Sequence, residues 1–173
     1  MRKRQFDGGI ARIEDVEGYG MVSLRVSAET ALRRARPQRG QACWEGETTT
    51  LWMSPDELLF LCPRAEVAGL LRDLAQDLAG VHHLAADVSS ARALFDVRGR
   101  NALEVMAKLM PIDLSPQKFS PGRVRRSRIG QVAAAIWMQQ DGALRVICFR
   151  SVADYVWDLM VDAARPGTEV GAF

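Results

Sequence analysis

Thr48-Thr49-Thr50-Leu51-Trp52-Met53-Ser54-Pro55-Asp56-Glu57-Leu58-Leu59-Phe60-Leu61-Cys62 reads as two strands around a tight turn. Strands are expected at about Thr48–Met53 and Glu57–Cys62, with Ser54-Pro55-Asp56 between them. Proline presets the backbone angle of such a turn, and aspartate caps it locally. Downstream, Val67, Leu70, Leu71, Leu74 and Leu78 recur at helical spacing, which predicts a helix over about Arg64–Ala79 with Gly80 as its C-cap. A strand through Val88 completes the unit. Upstream, Tyr19–Val26 reads as a strand, and Ser27 is placed to cap a short helix over Ala28–Ala35 that Pro37 and Gly40 close off. The order is strand, helix, strand, strand, helix, strand.

The rest of the chain repeats that order loosely. Ala91–Val97 reads as a strand and Asn101–Met110 as a helix stopped by Pro111, and residues 111–122 are irregular. Strands are expected near Arg123–Ile129 and Val132–Gln139. Asp141-Gly142 then signals a two-residue hairpin whose turn positions both need positive φ. Leu144–Phe149 is apolar on both faces except for Arg145, as a central strand would be. The last helix, about Val152–Ala164, has Ser151 as its expected N-cap, with Asp154 completing a capping-box-like arrangement. The fold class is therefore α+β, built of two split β-α-β units with antiparallel sheets. Residues 1–18, mixing glycine with charge, read as a loose lead-in. Residues 19–173 read as one domain with pseudo-repeated halves at about 19–88 and 91–165.

Composition excludes several classes. The chain has 173 residues, 48% hydrophobic and 25% charged, which is ordinary globular usage. A net charge of +2 does not by itself call for nucleic acid or an anionic membrane. No apolar run approaches the ~20 residues that span a bilayer. The three cysteines, Cys43, Cys62 and Cys148, are odd in number and widely spaced. They fit core thiols in a cytoplasmic protein better than a disulfide ladder or a CxxC pair.

Catalytic patterns are sparse. Gly18-Tyr19-Gly20 begins like GxGxxG, but Leu24 and Arg25 follow where a helix should open. His82 and His83 are the only histidines, and neighbours on a strand point to opposite faces, so at most one could join a given site. Ser89 and Ser90 lie near Asp87 without a GxSxG elbow. No catalytic, cofactor-binding or metal-ligating residue is assigned. The sharpest charge feature is Arg123-Val124-Arg125-Arg126-Ser127-Arg128. On a strand, Arg123 and Arg125 share one face, and Arg126 and Arg128 share the other. The run suits a solvated edge, an acidic protein partner, or nucleic acid, the last lacking the interleaved aromatics it would need.

Several segments, in order, resemble the gamma-subunit family of heteromeric sarcosine oxidase. Trp52–Leu59 resembles its W-x-x-P-D-E-x-L element, and Asp87–Arg92 its D-V-S-x-x-R element. Gly99–Ala102 with Ala107–Leu114 resembles its G-x-x-A and A-K-x-x-P-x-D-L elements, Phe119–Gly122 its F-x-P-G, and Arg150–Trp157 its R-S-x-A-D-Y-x-W. The likeness covers about Leu51 to the C-terminal helix, and the N-terminal segment through Glu47 is not matched.

The resemblance implies a fold like the folate-binding domain of aminomethyltransferases and membership of an alpha, beta, gamma, delta complex that oxidises sarcosine to glycine. FAD, FMN, NAD, zinc and tetrahydrofolate are expected in the partner subunits and none in this chain, with neither nucleic acid nor membrane as partner. A stand-alone folate-binding transferase or tRNA-modification protein is the alternative. Its K-G-C-Y-x-G-Q motif is not reproduced at Lys108–Leu114, where no cysteine occurs. Arg123, Arg125, Arg126 and Arg128, with Trp157 off the main apolar stripe of the last helix, form the candidate subunit interface.

Overall fold

The computed structural model describes residues 3–173. In chain order the first strands are β1 (Gln5–Phe6), β2 (Arg12–Asp15), β3 (Tyr19–Val26), β4 (Ala42–Glu45), β5 (Thr48–Ser54) and β6 (Glu57–Pro63). Helix α1 (Val67–Asp77), β7 (His83–Asp87), β8 (Arg92–Arg98) and helix α2 (Ala102–Ala107) follow. The chain closes with β9 (Val124–Ile129), β10 (Val132–Met138), β11 (Leu144–Phe149) and helix α3 (Ala153–Ala163). Where one domain with two halves is expected, the chain divides into two compact units. Gly18–Ser90 forms one, and the residues through Glu17 join Ala91–Phe173 in the other.

In the Gly18–Ser90 unit, five antiparallel strands lie in the order β4-β5-β6-β3-β7. Helix α1 covers one face because Val67, Leu70 and Leu74 recur at helical spacing. With Leu78 they bury against Val22, Leu24, Val26, Leu58 and Phe60. Side chains alternate along a strand, so these even-numbered positions of β3 and β6 share one face. The helix expected at Ala28–Ala35 is absent. Ser27 closes a local turn instead, its carbonyl accepting the Thr30 N–H. Only half-buried Leu32 packs on the core from this stretch, and no apolar stripe offsets the crowding of Arg33, Arg34 and Arg36. Those arginines anchor the loop. Arg33 pairs with Asp77, Arg34 with Asp73, and Arg36 donates to the carbonyls of Ser27 and Thr30.

The second unit has six antiparallel strands in the order β1-β2-β8-β11-β10-β9, with α2 and α3 packed on one face. Phe95, Val97, Ile136, Leu144, Val146 and Cys148 meet Val105, Met106, Val156 and Met160 there.

The segment expected to be a loose lead-in is part of this sheet. β2 pairs with β8, and Ile13 is fully buried. The glycines that suggest looseness permit close approach. A Cβ on Gly9 would lie 1.8 Å from the carbonyl oxygen of Ala164, where the next residue, Ile10, donates its N–H to that same oxygen at 2.9 Å.

Two further expectations are corrected. The β10–β11 connection is not a two-residue turn with positive φ at both positions. Only Gly142 has positive φ, and its N–H closes a four-residue turn on the Gln139 carbonyl. The left-handed glycine then acts as the bulge residue that rejoins the strands. Nor does Ser151 cap α3. A 3-10 turn over Arg150–Val152 leads into the helix, Val152 is its N-cap, and no side chain bonds the cap.

Candidate functional site

The residues that carry the family resemblance fall into a set of internal braces. At the strand exit around Asp87, the side chain of Arg64 donates to both carboxylate oxygens of Asp87 at 3.1 and 3.0 Å. Ser89 donates its backbone N–H and its hydroxyl to Asp87, and its Oγ accepts the Met21 N–H at 2.8 Å. Burial works against the Asp87 charge, but the Ser89 and Arg64 donors outweigh it and hold the carboxyl below its ordinary range. Gly20 lies beneath this brace. A Cβ there would come within 2.0 Å of Val67 Cγ2, so the backbone must be bare. A few residues on, Arg92 stacks on Phe149, its cross-strand partner, 4.1 Å from the ring centroid.

Other motif residues do similar work. Asp56 accepts from Ser54 and Arg25 across the β5–β6 turn. Asp113 accepts the Ser115 N–H, and Phe119 is fully buried. Lys108 Nζ donates to the Ala163 carbonyl at 2.8 Å and the Thr168 carbonyl at 2.6 Å, tying the end of α3 to the segment beyond it. Glu104, one helical turn before Lys108, accepts the N–H groups of Val170 and Ala172. Those amides, the Val170 one foremost, keep its carboxyl below the ordinary range against the opposing effect of burial.

The arginine run lies on β9, at an edge of the six-stranded sheet. Arg123, Arg126 and Arg128 are exposed and Arg125 is half-buried. In register, Arg125 sits opposite Ile136, while Arg126 and Arg128 sit opposite Ala135 and Ala133, so Arg125 is on the other face from Arg126 and Arg128, and Arg123 precedes the strand. Arg125 turns its guanidinium back to the Val124 carbonyl at 3.0 Å. Trp157 is not part of this patch's strand. It is half-buried against its own core, with its ring 6.2 Å from Phe95 and the Arg4 guanidinium 4.7 Å from its centroid. Arg4 also pairs with Asp15 at 2.9 Å and with Asp154 at 2.7 Å. Arg4 was not legible as a site residue, because its partners lie far along the chain.

The histidines differ from expectation. His82 precedes β7, so strand alternation does not separate it from His83. Both line one cleft of about 430 Å³ with Arg25, Asp56 and Leu84. His83 Nδ1 is 2.8 Å from the Val81 carbonyl. No helix among the described residues is long and apolar enough to cross a membrane.

Two antiparallel sheets with helices on them, in one chain, place the protein in the architectural class of aminomethyltransferase folate-binding domains. Its structure matches a glycine cleavage system aminomethyltransferase T from Bartonella henselae with a TM-score of 0.65 at 10% identity, covering 92% of this chain and 48% of that one. It matches a chain of the heterotetrameric sarcosine oxidase from Corynebacterium sp. U-96 with a TM-score of 0.78 at 20% identity, covering 92% of this chain and 86% of that one. The model of the sarcosine oxidase gamma subunit family matches residues 24–166, and the chain belongs to that family.

Curated relatives agree. A sarcosine oxidase subunit gamma from Arthrobacter sp. is 28% identical over 142 residues, 79% of this chain and 69% of the relative. One from Corynebacterium sp. strain U-96 is 27% identical over 116 residues, 67% of this chain and 56% of the relative.

Proposed function

We propose that this chain is the non-catalytic gamma subunit of a heteromeric sarcosine oxidase and serves assembly rather than chemistry. In this reading its partners are alpha, beta and delta subunits, which hold FAD, FMN, NAD, zinc and tetrahydrofolate. The complex demethylates sarcosine oxidatively to glycine, forming methylenetetrahydrofolate and hydrogen peroxide. The chain itself works in the cytoplasm and takes neither nucleic acid nor membrane as partner.

One observation carries the reading. Five charged side chains of the family motifs, Asp56, Asp87, Lys108, Asp113 and Asp154, each bond another group of this chain. A motif acid or base that acted on a substrate would need a proton-transfer path to a bound molecule. Here the carboxylates brace turns and strand exits, and the lysine braces a helix end. What such a domain offers to larger subunits is rigid surface, including the arginine-bearing edge strand β9 and the exposed part of Trp157. The alternative of a stand-alone folate-binding or tRNA-modifying protein has the fold alone in its favour, and a fold hosts many functions.

The test is spectroscopy and tetrahydrofolate titration of the purified chain. The expected result is a colourless protein with no micromolar folate affinity. A bound flavin spectrum, or micromolar folate binding, would overturn the assembly role.

A further inference from the structure

The edge of a sheet presents a row of unpaired backbone groups that invites another strand, and proteins blunt it with charge, shortness or cover. Three of the edge strands here are guarded in this way. β9 carries the arginine run, and β1 has only two residues. β4 lies beside the loop that precedes it, with the Cys43 thiol donating to the Ala35 carbonyl at 3.5 Å. β7 ends the five-stranded sheet with none of these devices. It holds no lysine, arginine or proline, and its one acid, Asp87, is turned back onto Arg64 and Ser89. Leu84 on this strand is 62% exposed, and Val81 just before it is 39% exposed.

The ladder fixes which backbone groups face outward. In an antiparallel pair, successive residues alternate between bonding one neighbour and facing away from it. Val26 donates its N–H to the Asp56 carbonyl, and the Gly18 carbonyl accepts the Arg64 N–H, so the even-numbered residues of β3 bond the β6 side. The odd-numbered ones bond the β7 side, as the Val88 N–H does on the Met21 carbonyl. Their partners within β7 are Ala86, opposite Ser23, and Leu84, opposite Arg25. His83, Ala85 and Asp87 therefore turn their N–H and carbonyl groups to the open side, where no strand follows among the described residues.

We propose that an extended segment of a partner subunit adds to β7 as a sixth strand, with a bulky apolar side chain set against Leu84. The outward groups recur every second residue, about 6.7 Å apart, a spacing that another extended backbone matches. The proposal rests on the assembly role above and names a surface that serves it. A second copy of this chain fits the edge less well. Paired antiparallel about Ala85, it would set the second copy's Ala86 against Leu84 and leave the leucine poorly covered. It would also set His83 against an Asp87 whose carboxylate is already bonded within its own chain.

Hydrogen exchange on the full chain, alone and in the co-expressed complex, reads this edge directly. The amides of His83, Ala85 and Asp87 should exchange quickly in the isolated chain and about ten-fold or more slower in the complex. Two variants test the same contact. Ala85→Pro removes one outward N–H, and proline is tolerated where an edge N–H faces solvent. Leu84→Lys places a charge on the edge. Each should leave the isolated chain folded and weaken co-assembly about ten-fold or more, whereas Leu84→Ile, which keeps the apolar contact, should not.

Unchanged exchange at β7 on assembly, or co-assembly of Leu84→Lys at the wild-type level, would overturn the added strand while leaving the assembly role standing. A wild-type chain that joins no complex would overturn both. Protection of the β7 amides in a dimer of this chain alone would assign the edge to a second copy and overturn the proposal.

Discussion

Arg4 and Asp154 stand 150 residues apart in sequence, and their side chains meet at 2.7 Å. The same guanidinium holds Asp15 and covers the Trp157 ring, so one side chain fastens the N-terminal strands to helix α3. The exposed Asp154 arm contributes little, as surface ion pairs do. The Asp15 arm and the ring contact matter more, since Asp15 would be left without its cation in a half-buried setting. Arg4→Ala should cost about 1–3 kcal/mol in denaturant unfolding and change the fluorescence of Trp157. A variant as stable as the wild type would mean that the Arg4 side-chain contacts contribute nothing to the fold.

Trp157 itself is half-buried, so it can serve both its own core and a partner. Trp157→Ala in the isolated chain should cost less than the ~3–5 kcal/mol of a buried aromatic deletion, and it should weaken complex assembly. A full core-sized loss with assembly unaffected would assign Trp157 to the core alone.

The α3 start yields a sharp contrast. Ser151 makes no cap bond, so Ser151→Ala should change stability by less than about 0.5 kcal/mol. A loss of about 1 kcal/mol, the usual value of a working N-cap, would show that the serine caps the helix in solution. Ser89, by contrast, accepts the Met21 N–H and donates to Asp87, and Ser89→Ala should cost about 1–3 kcal/mol because the Met21 amide loses its partner.

Cys148 sets a pH dependence. Burial pushes its thiol up to about 11, above the ~8.5 of an unfolded cysteine. The native state therefore keeps its proton where the unfolded chain releases one. The contribution is fully present below about pH 8.5 and is lost as pH rises toward 11. The wild type should lose stability more steeply than Cys148→Ala across that window, and the native thiol should resist alkylation at pH 8. Parallel pH profiles for the two proteins would contradict this.

What the sequence made legible was periodic. The Thr48–Cys62 hairpin, α1 with its leucine stripe, and the three C-terminal strands follow from patterns of two and 3.6 residues, and they stand where expected. Misreadings arose where local signals competed with distant partners. Ser27 and Ser151 look like N-caps, yet the first closes a turn and the second lies in a 3-10 turn. Gly9 looks like slack until the carbonyl of Ala164 is seen beside it. The candidate interface was legible only as charge and as an off-stripe tryptophan. Whether a strand forms a sheet edge depends on sheet order, and sheet order is not written in β9 itself.

The arginine edge gives a kinetic prediction. Replacing Arg123, Arg125, Arg126 and Arg128 by serine should slow association of the subunit and flatten its dependence on salt, with a smaller effect on dissociation. Unchanged association at low salt would return the run to a solvated edge that keeps β9 from pairing with other chains. Tight, salt-dependent RNA binding by the wild type would point to nucleic acid instead.

The most direct measurement of the assembly role is reconstitution with and without this chain. The full set of subunits would be co-expressed in parallel with a set lacking only this one. Complex mass, flavin absorbance and sarcosine-dependent peroxide formation would be read on both. Omission should break the complex or strip its flavins, and activity should fall in proportion to the intact complex that remains. Full mass, full flavin content and full activity without this chain would contradict the account.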